Sequence, residues 1–187
     1  MAEAAQTLAG TLTGRSLPDL AVHLDESLQL ATVRYFSVDG AFAAAVREAT
    51  GVTLPETQAA SGTVDGQMIF AWRSPTETLC LAQSAAPLAA LAARLGAASD
   101  GCLIDLTGGL KVLRVQGARV GALLRRLGGT ASVPRAGESR RSRLAEVPVQ
   151  TIGLPATPGS AEVLLIVDRA YAPHLLGWIR ETLADFA

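Results

Sequence analysis

Lysine is nearly absent from this chain. Lys111 is the only one, and every other cationic side chain is an arginine. The net charge of −1 excludes a nucleic-acid surface, which needs a basic excess. Histidine is almost as scarce. His23 lies in a weakly patterned N-terminal stretch, and His174 falls in the first turn of a C-terminal helical pattern. A Ser–His–Asp or Cys–His arrangement would have to use one of these two, and the sequence offers neither of them catalytic partners. Cys80 and Cys102 each stand alone in an apolar, strand-like run, with no CxxC, HxH or HExxH spacing. Both are expected as buried free thiols, and no metal site is expected. Phosphate-cradling GxxxxGK[ST] and GxGxxG motifs are missing too. Aromatics make up 4% of the chain, too few to interleave with basic residues as a stacking platform. Trp72 and Trp178 are therefore expected as core or interface anchors. Tyr171 and Phe186 are expected to join Trp178 in core packing around the last helix. No run approaches the ~18 apolar residues of a membrane-spanning helix. With Glu3 near its start and no apolar h-region, the N-terminus is not expected to be a signal peptide, and the chain is expected to be cytoplasmic.

What is present is apolar material. Hydrophobic residues reach 49% and charged residues only 18% of the 187, enough for one domain or two half-domains with a full core. Residues 1–27 are small, polar and weakly patterned, and are expected to form an arm with a short helix near Leu17–Leu24. Residues 28–187 are expected to fold as one α+β domain with halves at about 28–98 and 99–187. The first half reads as a strand at Leu28–Ser37, a helix at Gly40–Thr50 capped by Asp39 and stopped by Gly51, strands at Gln67–Trp72 and Thr78–Ala82, and a helix from Ser84 to Leu95. The second reads as strands at about 102–106 and 110–116, a helix at 117–127, strands at about 142–153 and 161–167, and a last helix capped by Asp168. Both halves thus follow β-α-β-β-α, the split arrangement of ferredoxin-like units.

The sharpest stretch is Cys102–Leu127, CLIDLTGGLKVLRVQGARVGALLRRL. Ile104 and Leu106 alternate with Asp105, and Thr107-Gly108-Gly109 marks a turn. Gly117 lets the chain change direction into a helix, whose Val120, Leu123, Leu124 and Leu127 share one face. The spacing Gly117…Gly121 points to close packing, not to a phosphate site. Farther on, Arg135, Arg140, Arg141 and Arg143 cluster in PRAGESRRSRL, read as a loop. It is either a solvated loop or a set of anchors for an acidic patch on a larger protein.

The order IDLTGGLKVLRVQGARVGALLRRL, with GVTLPE at Gly51–Glu56, GQMIFAWRSPTETLCL at Gly66–Leu81 and VDRAYAPHLLGWIRETL at Val167–Leu183, resembles the sarcosine oxidase gamma subunit family. That family has an aminomethyltransferase-like fold, and the resemblance covers roughly residues 28 to 187. It implies two ferredoxin-like units packed together. It also implies a noncatalytic small subunit that stabilises larger alpha and beta subunits, with delta as a further candidate partner. The complex would be a heterotetramer that oxidatively demethylates sarcosine or a related N-methyl amine in sarcosine catabolism and one-carbon metabolism. FAD, FMN, NAD and tetrahydrofolate would be held by the other subunits. Folate-dependent aminomethyltransferases carry a tyrosine-bearing strand, a glycine turn and acidic residues after the middle helix. Here the matching Pro134–Leu154 has no aromatic and no aspartate, only Glu138 and Glu146. No catalytic, cofactor or metal residue is therefore expected in this chain. Two other readings remain open: a stand-alone folate- or small-ligand-binding protein of the same fold, and a self-associating interaction domain.

Overall fold

The computed structural model describes residue 17, residues 19–96 and residues 100–186. In chain order the strands and helices are β1 (Ala21–Asp25), β2 (Gln29–Tyr35), α1 (Ala41–Thr50), β3 (Ala60–Gly62), β4 (Met68–Ser74), β5 (Glu77–Ala82), α2 (Ala85–Leu95), β6 (Gly101–Asp105), β7 (Leu110–Gly117), α3 (Val120–Gly128), β8 (Ser139–Leu144), β9 (Val147–Leu154), β10 (Ala161–Asp168) and α4 (Ala172–Ala184). The fold is α+β. The chain forms two units, Ser27–Gly108 and a second built from Gly109–Ala187 together with the segment that ends at Glu26.

In the first unit the sheet order is β3-β4-β5-β2-β6, with every pairing antiparallel. Its core is formed by the α1 and α2 faces (Phe42, Val46, Leu88, Leu91, Leu95) packed on Ala31, Val33, Tyr35, Met68, Phe70 and Cys80. In the second unit the order is β1-β7-β10-β9-β8, again antiparallel throughout. Leu123 and Leu124 of α3 and Leu175, Ile179 and Leu183 of α4 cluster there with Leu113, Val115, Val163 and Leu165. The two orders correspond position by position: β8 matches β3, β9 matches β4, β10 matches β5, β7 matches β2 and β1 matches β6.

That correspondence changes the reading of the N-terminal segment. The second unit takes its closing strand from the start of the chain, because β1 pairs with β7 from Ala21↔Gln116 to Asp25↔Val112. The helix expected near Leu17–Leu24 is thus a strand, since backbone pairing with an open sheet edge outweighs the weak local helix signal. The rest of the expected arm, residues 1–16 and 18, lies outside the described residues. Likewise β6 closes the first sheet against β2, so Thr107-Gly108-Gly109 links two sheets and does not close a hairpin.

At the start of α1 a tertiary contact replaces the expected local cap. Gly51 ends α1 in the left-handed conformation (φ 74°), as its lack of a Cβ allows. The start of α1 is not held by Asp39. Asp100, 58 residues on, accepts a hydrogen bond from the Phe42 N–H at 2.9 Å. It sits so tightly on Gly40 that a Cβ there would collide with its carboxylate. Asp100→Ala is expected to lose about 1–2 kcal/mol by urea unfolding and Asp39→Ala close to nothing. Equal losses would refute the remote cap. Ser84 precedes α2 without a side-chain cap bond. Asp168 accepts from the Ala170 N–H at 2.8 Å, one turn ahead of the Tyr171 N-cap of α4.

Candidate partner-binding surface

The four arginines do not form a loop cluster. Arg140, Arg141 and Arg143 lie on β8, the edge strand of the second sheet, and only Arg135 precedes it. The apolar partner β9 draws this polar stretch into a hairpin, Ser139↔Ile152 to Leu144↔Val147, which its own residues do not advertise. The connecting residues Ala145 (φ 47°) and Glu146 (φ 67°) are both left-handed, as a two-residue hairpin turn requires. The turn is held from two sides: Ala145 N–H donates to Leu127 O at 2.9 Å, and His174 Nε2 lies 3.0 Å from Ala145 O.

Along the strand the arginines take different roles. Arg140 is half-buried and tied to Glu138, with Nε 3.0 Å and Nη2 2.7 Å from Oε2. Arg143 bonds the Glu146 carbonyl and keeps its Nε 3.7 Å from that carboxylate. Arg135 and Arg141 are exposed. Of the four, these two carry side chains that make no ion pair among the described residues. Against Glu138 and Glu146 the stretch holds a surplus of positive charge.

Glu138 also organises the approach to the strand. The Arg135 N–H donates to its carboxylate at 2.9 Å, and this bond, with help from Arg140, holds its pKa below the ordinary glutamate value. A depressed carboxyl pKa contributes stability that is present above the unfolded value and lost as pH falls through the folded one. The protection of the Arg135 amide against exchange, taken relative to the intrinsic rate at each pH, is therefore expected to fall on acidification below the ordinary glutamate range, and to be low at every pH in Glu138→Ala. Constant protection across that range in the wild type would refute this.

Other expected features resolve differently. Cys80 is fully buried, and burial pushes its thiol up to about 12. Cys102 is exposed on β6, contrary to the expectation of two buried thiols, because it sits on an edge strand and not in the middle of a sheet. Trp178 (53% exposed) and Tyr171 (48% exposed) are not core residues. Positions 172, 175, 176, 179, 182 and 183 face the core, so 174 and 178 fall outside that face of α4, and Tyr171 precedes the helix as its N-cap. Trp178 and His174 line an open cleft of about 540 Å³ with Arg126, Glu146, Glu181 and Asp185. Sequence periodicity missed this stripe because the helix carries large apolar groups on two faces.

A folate or small-ligand site would need a buried, unspent carboxylate. The carboxylates lining the described cavities do not meet that need. Asp65, Glu146, Glu181 and Asp185 are exposed, and Asp100 is engaged in capping α1. Among the described residues no group of three or more His, Cys, Asp or Glu could hold a metal ion. No described helix is long and apolar enough to cross a membrane.

Two antiparallel sheets with matching strand order define the class. The fold is that of the aminomethyltransferases: aminomethyltransferase T of the glycine cleavage system from Bartonella henselae superposes with a TM-score of 0.65 at 14% identity, over 92% of this chain and 48% of that one. The heterotetrameric sarcosine oxidase from Corynebacterium sp. U-96, in complex with pyrrole 2-carboxylate, contains a chain of the same fold. It superposes with a TM-score of 0.82 at 21% identity, over 98% of this chain and 94% of that one. In sequence, the sarcosine oxidase subunit gamma of Corynebacterium sp. (strain P-1) is 30% identical over 160 residues, covering 83% of this chain and 75% of that one. No family model matches. The chain belongs to the sarcosine oxidase gamma subunit family.

Proposed function

We propose that this chain is the noncatalytic small subunit of a heterotetrameric, sarcosine-oxidase-like complex. The observation that carries the reading is the 30% identity to a subunit gamma over most of both chains. In this reading alpha and beta subunits, with a delta subunit in the tetramer, hold FAD, FMN, NAD and tetrahydrofolate. The complex oxidises sarcosine or a related N-methyl amine and passes the one-carbon unit to tetrahydrofolate, in the cytoplasm. This chain supplies no catalytic group. It covers and stabilises part of a larger subunit. Its two histidines and its exposed cavity carboxylates suit such a role better than that of a folate-binding protein.

Arg135, Arg141 and Arg143 are the contacts we assign to an acidic patch on the larger subunit, with Arg140 braced by Glu138 behind them. Arginine favours such sites because its planar fork meets a carboxylate with two parallel bonds. Reversing Arg141 and Arg143 to Glu together is expected to weaken assembly about tenfold or more, with the loss concentrated in association rate and salt dependence. Unchanged assembly would remove these residues from the interface.

The test of the whole reading is a tagged recovery from native extract, with native mass spectrometry and a flavin absorbance scan. Larger chains in a yellow complex support it. A colourless monomer or homodimer overturns it, and the homodimer favours the self-associating domain.

A further inference from the structure

Each sheet of this protein has two edges, and three of the four are guarded. β3 is three residues long. β8 carries arginines, and the α3 end at Gly128 abuts the Arg143 carbonyl. β1 carries the exposed, polar His23 and a charge turned inward, Asp25, which Arg114 holds. β6 is different. The Leu106 N–H donates to Leu30 O at 2.8 Å, and the Phe36 N–H donates to Asp100 O at 3.1 Å. With Thr32 opposite Ile104 and Arg34 opposite Cys102, these bonds set the alternation of the ladder. Gly101, Leu103 and Asp105 therefore aim their backbone N–H and C=O groups away from β2, and those groups make no hydrogen bond among the described residues. β6 carries no proline or bulge, and its one charge, the exposed Asp105, stands at its last position, so Gly101 to Ile104 lack the devices by which edges avoid pairing.

The side chains along this edge are apolar and exposed. Ile104 is 39% exposed and Cys102 is exposed, both on one face of the strand. Phe36, at 85%, lines with Cys102 and Arg34 a cleft of about 600 Å³. A row of unpaired donors and acceptors beside alternating apolar side chains fits one kind of occupant, an extended chain. Arg34 adds a charge criterion. It is exposed, lies directly across from Cys102, and makes no ion pair among the described residues.

We propose that the outer edge of β6 is a strand-addition site for an extended, apolar segment of a partner subunit, which brings a carboxylate to Arg34. This rests on the small-subunit reading above. A second copy fits less well. Antiparallel self-pairing about Leu103 sets Cys102 against Ile104, but it sends Asp105 to the face opposite Arg34, because successive side chains alternate. Arg34 would stay unpaired.

The native thiols provide the test. Cys80 is buried with its thiol pushed up to about 12, so maleimide labelling followed by peptide mass spectrometry reads Cys102. Labelling is compared in the purified complex and in the full chain released from it. Cys102 is expected to react about tenfold or more slowly in the complex, since a paired edge must open first. Leu103→Pro removes an outward N–H without touching the β2 ladder bonds, at the cost of the partly buried Leu103 side chain, and should expel the chain from the complex. Should that variant fold poorly, Ile104→Lys charges an exposed position and is expected to have the same effect with an unchanged circular dichroism spectrum. Equal Cys102 labelling in complex and free chain overturns this inference alone, as does normal assembly of folded Ile104→Lys. A free homodimer with protected Cys102 makes the occupant a second copy. Failure to recover any larger chain overturns the small-subunit reading and this one together.

Discussion

Replacing Gly117 with alanine is expected to destabilise the second unit by about 3–5 kcal/mol, a large part of a domain's stability. Gly117 ends β7 with φ 130°, a conformation that residues with a Cβ avoid. The space is closed as well. A Cβ would fall well inside contact distance of the Asp19 carbonyl oxygen and 2.9 Å from Leu20 Cα. Both obstacles are backbone, so no side chain can swing away. The crossing is also fastened at this point. Arg119 N–H donates to Asp19 O at 3.3 Å, its Nε lies 2.7 Å from the Asp19 carboxylate, and its guanidinium sits 5.8 Å from the Phe186 ring centroid. Gly108→Ala is the control. It too has a positive φ (81°), but its Cβ would meet open space, so only the backbone term remains, about 1–2 kcal/mol. Urea midpoints for the two variants separate steric closure from backbone preference. Equal shifts would mean that the N-terminal segment does not cross Gly117 as described.

Removing the Arg114 guanidinium, as in Arg114→Met, is expected to lose about 2–3 kcal/mol, below the usual figure for a fully buried pair because the site is partly open. Arg114 lies on β7 between the two strands that flank it. Its Nε and Nη2 reach Asp25 Oδ2 of β1 at 3.1 and 2.9 Å, and its Nη1 bonds Glu162 of β10. Burial works against its charge, but the bonds and charges of Asp25 and Glu162 outweigh that and hold its pKa above the ordinary value. Without it, two carboxylates with side-chain exposures of only 10% and 20% lose the cation they share. Adding Asp25→Asn to Arg114→Met is expected to recover part of the loss, since the damage lies in the stranded charge and not in the missing packing. A double variant no more stable than Arg114→Met would assign the effect to packing. Detachment of β1 is the expected failure, seen as faster amide exchange at residues 21–25.

These sites also mark what could be read in the residues alone. Gly117 announced a change of direction, and the period of Val120, Leu123 and Leu124 announced α3 and its buried face. Of the first unit's strands, β2, β4 and β5 fell close to their expected bounds, because period-two apolar runs and glycine or proline punctuation are local signals, whereas β3 lies in small residues that carry no such signal. Arg114 with Asp25 and Glu162 could not be seen. The three are far apart in the chain and meet only through strand pairing. The four arginines were found by composition, but their state was misjudged. Serine and arginine carry little strand preference, and β8 exists because β9 pairs with it.

The residues by themselves determined the α+β class, the repetition of one strand-and-helix order in two halves (though the structure sets three strands, not two, between the helices of each unit), the absence of the usual catalytic and metal motifs, and the resemblance to the gamma subunit family. Each of these rests on periodicity, composition or motif, which need only neighbours in sequence. Tertiary structure alone decided that the N-terminal segment closes the second sheet, that Asp100 caps α1, that Cys102 is exposed while Cys80 is not, and that β6 has an unguarded edge. In every such case the deciding contact joins residues that are distant along the chain. Pairing with an open sheet edge or with an unsatisfied helix terminus outweighs what local propensity prefers.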